Sequence, residues 1–252
     1  WDTQGKQVAT FRGHQGSVIS VAISTDNQRI VSGGYDGTVR LWDTQGKQVA
    51  TFRGHQGTVN SVAISIDNQR IVSGGDDGTV RLWDTQGKQV ATFRGHQGSI
   101  EAVAISTNKQ TIVSGGSDRT VRVWDSKGKQ VATFTGHQGY VPSVAISTNS
   151  QRIVSGGYDG TVRLWDTQGK QVATFRGHQG TVNSVAISID NQRIVSGGDD
   201  GTVRLWDTQG KQVATFRGHQ GTVNSVAIST DNQRVVSGGS DGTVRLWDTQ
   251  GK

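Results

Sequence analysis

Residues 7–47 read QVATFRGHQGSVISVAISTDNQRIVSGGYDGTVRLWDTQGK, and the fold follows from how this stretch is punctuated. Four short β-prone runs, QVATFR at 7–12, SVISVAIS at 17–24, RIVSG at 29–33 and TVRLW at 38–42, alternate with GHQG at 13–16, TDNQ at 25–28, GYDG at 34–37 and DTQGK at 43–47. Each break is rich in residues that accept a positive φ or hydrogen-bond their own backbone, which is turn chemistry. No run has the length or the 3.6-residue period of a helix.

The stretch recurs. Six units of 41 residues, at 1–41, 42–82, 83–123, 124–164, 165–205 and 206–246, align without a gap, and WDTQGK at 247–252 repeats residues 1–6. The second and fifth units are identical at all 41 positions, the mark of recent amplification or of design. Twenty-four short strands on a fixed period point to radial repetition, in which each unit covers the apolar face of its neighbour.

Within every unit four small motifs keep their spacing: Gly13-His14, Ser32-Gly33-Gly34, Asp36-Gly37 and Trp42-Asp43 in the first. In these motifs the chain resembles the WD-repeat β-propellers, six times over and along its whole length. The resemblance implies an all-β, six-bladed β-propeller of four-stranded antiparallel blades, a single domain over 1–252, in which the run before each GH is the outer strand of the preceding blade. On that offset the last blade starts at His219 and ends its third strand at Trp247. Residues 7–12 are expected to supply its fourth strand, closing the ring with N- and C-terminal segments in one sheet and removing two open edges. Residues 1–6 and 247–252 then compete for one place, and the first copy is expected to be displaced. The family most often has seven blades. A ring that closes predicts a monomer; one that does not predicts a swapped or larger-ring oligomer.

His, Ser and Asp in every unit suggest a nucleophilic triad on composition alone, but six copies of a triad make little sense in an enzyme. The resemblance implies a buried hydrogen-bonded chain instead: His14, Ser32, Asp36 and Trp42 in the first blade, then His55, Ser73, Asp77 and Trp83, His96, Ser114, Asp118 and Trp124, His137, Ser155, Asp159 and Trp165, His178, Ser196, Asp200 and Trp206, and His219, Ser237, Asp241 and Trp247. An ionised Asp accepts, a neutral His donates from one nitrogen and accepts on the other, Ser relays, and the indole N–H donates. All six His are committed there, leaving no imidazole for a metal or a general base. Asp43 heads a turn that it caps. Asp76-Asp77 and Asp199-Asp200 are the adjacent carboxylates; one of each pair belongs to the network, and a single free carboxylate is a poor start for a hard cation. The expectation is no catalytic residue, metal or cofactor.

Units this similar are most informative where they differ. Substitutions gather at three positions: Ser17, Thr58, Ser99, Tyr140, Thr181 and Thr222; Ile19, Asn60, Glu101, Pro142, Asn183 and Asn224; and Tyr35, Asp76, Ser117, Tyr158, Asp199 and Ser240. The first two lie two residues apart and so share a strand face; the third lies in the turn before the network Asp. In the proteins that this chain resembles, that turn and the GH loop emerge on one rim of the ring, the face that most often holds partner peptides. Tyr, Asn, Glu, Asp and an exposed Ile supply stacking, hydrogen bonds and charge, so a protein or peptide partner is expected there. Drift on exposed loops is the competing reading, and it also covers the changes in the 25–29 turn. A glycan-binding propeller would repeat an aromatic platform in each blade, whereas Tyr35, Tyr140 and Tyr158 serve only two units.

Composition bounds the rest. Hydrophobic residues are 32%, and 36 Gly bring the apolar-plus-glycine share to that of an ordinary globular domain. No apolar run approaches the roughly 18 residues of a membrane span, so the expectation is a soluble, intracellular chain. With no Cys there is no disulfide framework or thiolate site, and with no Met the sequence is expected to start downstream of an initiation codon, so the lack of a targeting signal excludes nothing. The net charge of +6 recurs at Lys6, Arg12, Arg29 and Arg40 of the unit, spread around the object and not gathered into the patch that nucleic acid binding needs.

Overall fold

The turn residues bend the chain at a fixed interval, and the β-branched and aromatic runs between them pair with their neighbours. In the computed structural model, which describes residue 4 and residues 6–108 and 110–250, the result is 23 strands and no helix among the described residues. Blade one holds β1 (Val18–Ile23), β2 (Arg29–Gly34), β3 (Thr38–Asp43) and β4 (Gln48–Arg53); blade two β5 (Val59–Ile64), β6 (Arg70–Gly75), β7 (Thr79–Asp84) and β8 (Gln89–Arg94); blade three β9 (Ile100–Ile105), β10 (Thr111–Gly116), β11 (Val121–Asp125) and β12 (Gln130–Phe134). Blade four holds β13 (Ser143–Ile146), β14 (Arg152–Gly156), β15 (Thr161–Asp166) and β16 (Gln171–Arg176); blade five β17 (Val182–Ile187), β18 (Arg193–Gly198), β19 (Thr202–Asp207) and β20 (Gln212–Arg217); blade six β21 (Val223–Ile228), β22 (Arg234–Gly239) and β23 (Val244–Asp248). Each sheet is an antiparallel meander in chain order: a six-bladed propeller with five four-stranded blades and a last blade of three strands.

Turn chemistry sets the geometry. Asn27 sits at φ 57°, Gly37 at 69° and Gly46 at 92° in the three turns of blade one. Asp43 caps its turn, its Oδ1 accepting from the Gln45 and Lys47 amides at 3.0 and 2.9 Å. Successive blades stack through apolar cores. Between blades one and two, Val31, Val39, Leu41 and Phe52 meet Val59, Val62, Ile71 and Trp83, all buried, each contributing on the order of 1.5–3 kcal/mol. The second strand ends in Gly-Gly because the next blade comes so close: a Cβ on Gly33 would stand 2.6 Å from Val59 Cγ1.

Two expectations are corrected here. Residues 7–12 do not complete blade six; they form no strand and lie on blade one, with the Phe11 ring edge-on to Trp42 at 5.8 Å and the Thr10 carbonyl beside Gly46. The physical reason is that blades one and six share no buried core among the described residues, so β23 does not lie beside residues 7–12, whose Phe11 keeps against Trp42 the contact that each outer strand makes with the blade after it. The expected competition between residues 1–6 and 247–252 falls largely outside the described residues. The strand-face expectation also changes. The register slips between Val18 and Ser20, and likewise in blades two, three, five and six, so Ile19 and its counterparts are bulge residues that break the alternation. The first strand pair of blade four has no such bulge, because Pro142 has no N–H to pair and the first strand begins at Ser143.

Candidate functional site

In each blade the GH loop and the turn between the second and third strands meet at one end of the meander, and their polar residues join there. His14 Nδ1 donates to Asp36 Oδ1 at 2.9 Å, the Ser32 hydroxyl donates to His14 Nε2 at 2.8 Å, and Trp42 Nε1–H donates to Ser32 Oγ at 2.8 Å. The other five blades repeat the chain, with His to Asp at 2.9–3.1 Å, His to Ser at 2.8 Å and Trp to Ser at 2.8–2.9 Å. Among the described residues no buried side-chain N or O lacks a partner.

Sequence reasoning left three members out. Thr38 Oγ1 donates to Asp36 Oδ1 at 2.7 Å, the Arg40 guanidinium pairs with Asp36 Oδ2 at 3.3 Å, and Arg40 Nη1 donates to Gln48 Oε1 at 2.6 Å. The signal was available: every unit places Thr two and Arg four residues after the network Asp. Arg40, Arg81, Arg163 and Arg204 are therefore buried ion-pair members and not part of a surface field.

The electrostatics follow. Burial pushes the Asp77 carboxyl up, but the Thr79 hydroxyl, His55 and the Gln56 amide outweigh it and hold the pKa at about 2; Asp200 is likewise held at about 2. Burial drives His55 and His178 below the ordinary imidazole value despite the pull of Asp77 and Asp200. A neutral ring between an anion and a hydroxyl, with both nitrogens occupied, suits a structural strut and has no lone pair left to take a proton from a substrate.

The three variable positions converge beside this network. The first and third are joined by the backbone in every blade: Tyr35 N donates to Ser17 O at 3.0 Å, and Asp76, Ser117, Tyr158, Asp199 and Ser240 bond in the same way to Thr58, Ser99, Tyr140, Thr181 and Thr222. The second reaches the third where the chemistry allows: Asn60 Nδ2 donates to Asp76 Oδ1, and Asn183 Nδ2 to Asp199 Oδ1, both at 2.8 Å. Burial raises the Glu101 pKa, and Asp76 on the preceding blade adds to the rise. In blade four the rings of Tyr140 and Tyr158 lie 5.2 Å apart. Ser17, Ile19, Tyr35, Asp76, Tyr140, Tyr158, Asp199, Asn224 and Ser240 are exposed; Asn60, Ser99, Glu101, Ser117, Pro142, Thr181, Asn183 and Thr222 are half-buried; Thr58 is buried. Arg119 stands on the same rim at φ 68°, where blades one, two, four, five and six place Gly.

Clefts open at the opposite end of the meanders. One of about 620 Å³ is bounded by Gln192, Arg193, Thr208, Gln209 and Lys211, a polar lining with little to hold an apolar ligand. Among the described residues no group of three or more His, Cys, Asp or Glu is placed to hold a metal ion. Among the described residues no helix is long and apolar enough to cross a membrane.

The family model described as "WD domain, G-beta repeat" matches six times, at residues 5–43, 46–84, 87–125, 128–166, 169–207 and 210–248. No curated protein matches the chain.

Proposed function

Since the chain belongs to the WD domain, G-beta repeat family, a family of propeller scaffolds that generally mediate protein interactions, we propose that it is a non-catalytic scaffold whose rim binds a protein or peptide segment. The observation that carries this reading is the coincidence of variability with position. In units otherwise almost alike, three sites per blade each take at least three residue types and adjoin one another through backbone and side-chain hydrogen bonds, while the other varied stretch, the 25–29 turn, lies at the opposite end. The Tyr140–Tyr158 pair, the Asp76–Glu101 neighbourhood and the Asn60 and Asn183 amides give each sector of the rim its own chemistry, the requirement for reading one sequence and not another. Arg119, held in a conformation that costs about 1–2 kcal/mol outside glycine, is strain of the kind that gathers at functional surfaces.

The test is selection of displayed peptides on the wild-type protein, followed by affinity measurement on a variant carrying Tyr35→Ala, Tyr140→Ala, Tyr158→Ala and Glu101→Gln. The reading expects at least a tenfold loss of affinity with Tm lowered by no more than a few degrees. Equal affinity for wild type and variant overturns it. The identity of the second and fifth units at all 41 positions favours a second reading, a recently amplified propeller with no ligand, for which selection on the folded protein yields no rim-dependent peptide.

A further inference from the structure

Five contacts between successive blades use one heterologous pair of faces, and each face has one copy left uncovered. In blade five, Val195, Val203 and Leu205 are buried against Val223 and Val226 of β21. Blade six carries the same side chains at Val236, Val244 and Leu246, yet Val244 is 78% exposed where Val203 is 0%. At the other end, Val18 and Val21 of β1 correspond to Val59 and Val62 of β5, yet Val21 is 68% exposed where Val62 is 6%. The two open faces are thus the two halves of the contact already made five times. The strand pattern repeats the point. Among the described residues β23 has no fourth strand beside it, while residues 7–12, with the sequence of β4 and β8, pair with none. Phe11 nevertheless meets Trp42 at 5.8 Å as Phe52 meets Trp83 at 5.7 Å, the relation of an outer strand to the blade that follows it. Blade one with residues 7–12 is a ready acceptor for a preceding blade, and blade six is such a blade, but within one chain the two stand unpaired.

We infer that these faces form a self-association surface whose occupant is a second copy of this chain: blade six of one copy packs on blade one of the next, and residues 7–12 of that copy add to β23 as its fourth strand. The argument is continuity with the interface that the chain makes five times and the identity of the side chains on both sides; a heterologous contact that does not close on itself passes to another copy. Apolar side chains exposed together on a sheet face, next to an unpaired strand edge, are the features that drive such association. The register is set by blade five, where Val203 faces Phe216 and Leu205 faces Ala214; in the assembly Val244 faces Phe11 and Leu246 faces Ala9.

The chain has no Cys, so placed thiols report the contact cleanly. Single variants Leu246→Cys and Ala9→Cys are mixed and oxidised, with the double variant Leu205→Cys/Ala214→Cys as the within-blade control for disulfide geometry. The expected result is a disulfide-linked species of twice 26.9 kDa from the mixture, at least tenfold more abundant than from either variant alone, with light scattering of the unmodified protein giving a mass of at least two chains that Val244→Asp lowers. An internal bridge in a double Ala9→Cys/Leu246→Cys variant that stays at the mass of one chain shows that the ring closes on itself and overturns the inference. So does cross-linking of a single variant to the same extent as the mixture, or a wild-type mass of 26.9 kDa with no cross-link.

Discussion

Ser73→Ala removes one oxygen and tests the whole network argument. The Ser73 hydroxyl donates to His55 Nε2 at 2.8 Å and accepts from Trp83 Nε1–H at 2.9 Å, in a residue with no exposed surface. Alanine leaves an imidazole acceptor and an indole donor with no partner, and the space of one hydroxyl is too small and too apolar on its remaining sides to seat a water with its hydrogen bonds. Each orphaned buried group costs about 1–3 kcal/mol, so the loss is about 3 kcal/mol, a large share of the 5–15 kcal/mol typical of a folded domain. In a chain of this size that lowers Tm by roughly 6–12 °C. Stability of a repeat array is close to a sum over units and their contacts, so hydrogen exchange should show the loss first in blade two and its neighbours. Trp83→Phe added to Ser73→Ala removes one orphan, so the double variant should cost about 1 kcal/mol less than the sum of the singles. Urea unfolding followed by circular dichroism, with hydrogen exchange to locate the change, measures all three. A Ser73→Ala protein within about 0.5 kcal/mol of wild type, or an additive double variant, refutes the reasoning.

Three further outcomes follow from the same geometry. Arg119→Gly relieves a left-handed residue and should raise stability by about 1 kcal/mol, seen as a Tm increase of about 2–4 °C; a decrease means that the Arg119 side chain has a contact worth more than the strain. The Asp77 and Asp200 carboxyls have folded pKa values of about 2 against an ordinary 3.8, so their contribution is complete above about pH 4 and disappears as pH falls toward 2. After solvent screening this is about 1–2 kcal/mol each. His55 and His178, also lowered, act with the same sign from pH 6.5 downward, because the unfolded chain takes up the proton first; stability that stays flat from pH 7 to pH 3 contradicts both statements. NMR titration should find Glu101 above the ordinary glutamate value of 4.5, and Asp76→Asn should bring it part of the way back; an unchanged midpoint in Asp76→Asn removes Asp76 as a cause.

The blade was legible in the sequence because its determinants are local. Asn27 and Gly37 mark turns whose positive φ few other residues accept, and the spacing of GH, SGG, DG and WD survives six repetitions. The His–Ser–Asp–Trp chain was legible through the resemblance to WD-repeat propellers, and the antiparallel strands bring together residues 18, 22 and 10 apart. Thr38 and Arg40 were invisible to that reading because they look like an ordinary polar alternation on a strand, and only their bonds to Asp36 show what they do. The bulge at Ile19 depends on how β1 meets β2, not on a residue type. The fate of residues 7–12 was the largest miss. Their sequence equals that of β4, but whether they reach β23 depends on whether blades one and six meet, which no single unit encodes.

The rim is tested most directly by the dissociation constant of a peptide selected on the wild-type protein, compared across two variants of equal Tm. One carries Tyr35→Ala, Tyr140→Ala, Tyr158→Ala and Glu101→Gln on the rim; the other carries Gln192→Ala and Gln209→Ala in the cleft at the opposite end of the blades. A weakening of at least tenfold in the first, with the second within twofold of wild type, is the predicted result. Binding that survives the rim substitutions, or that is lost with the opposite cleft, contradicts it.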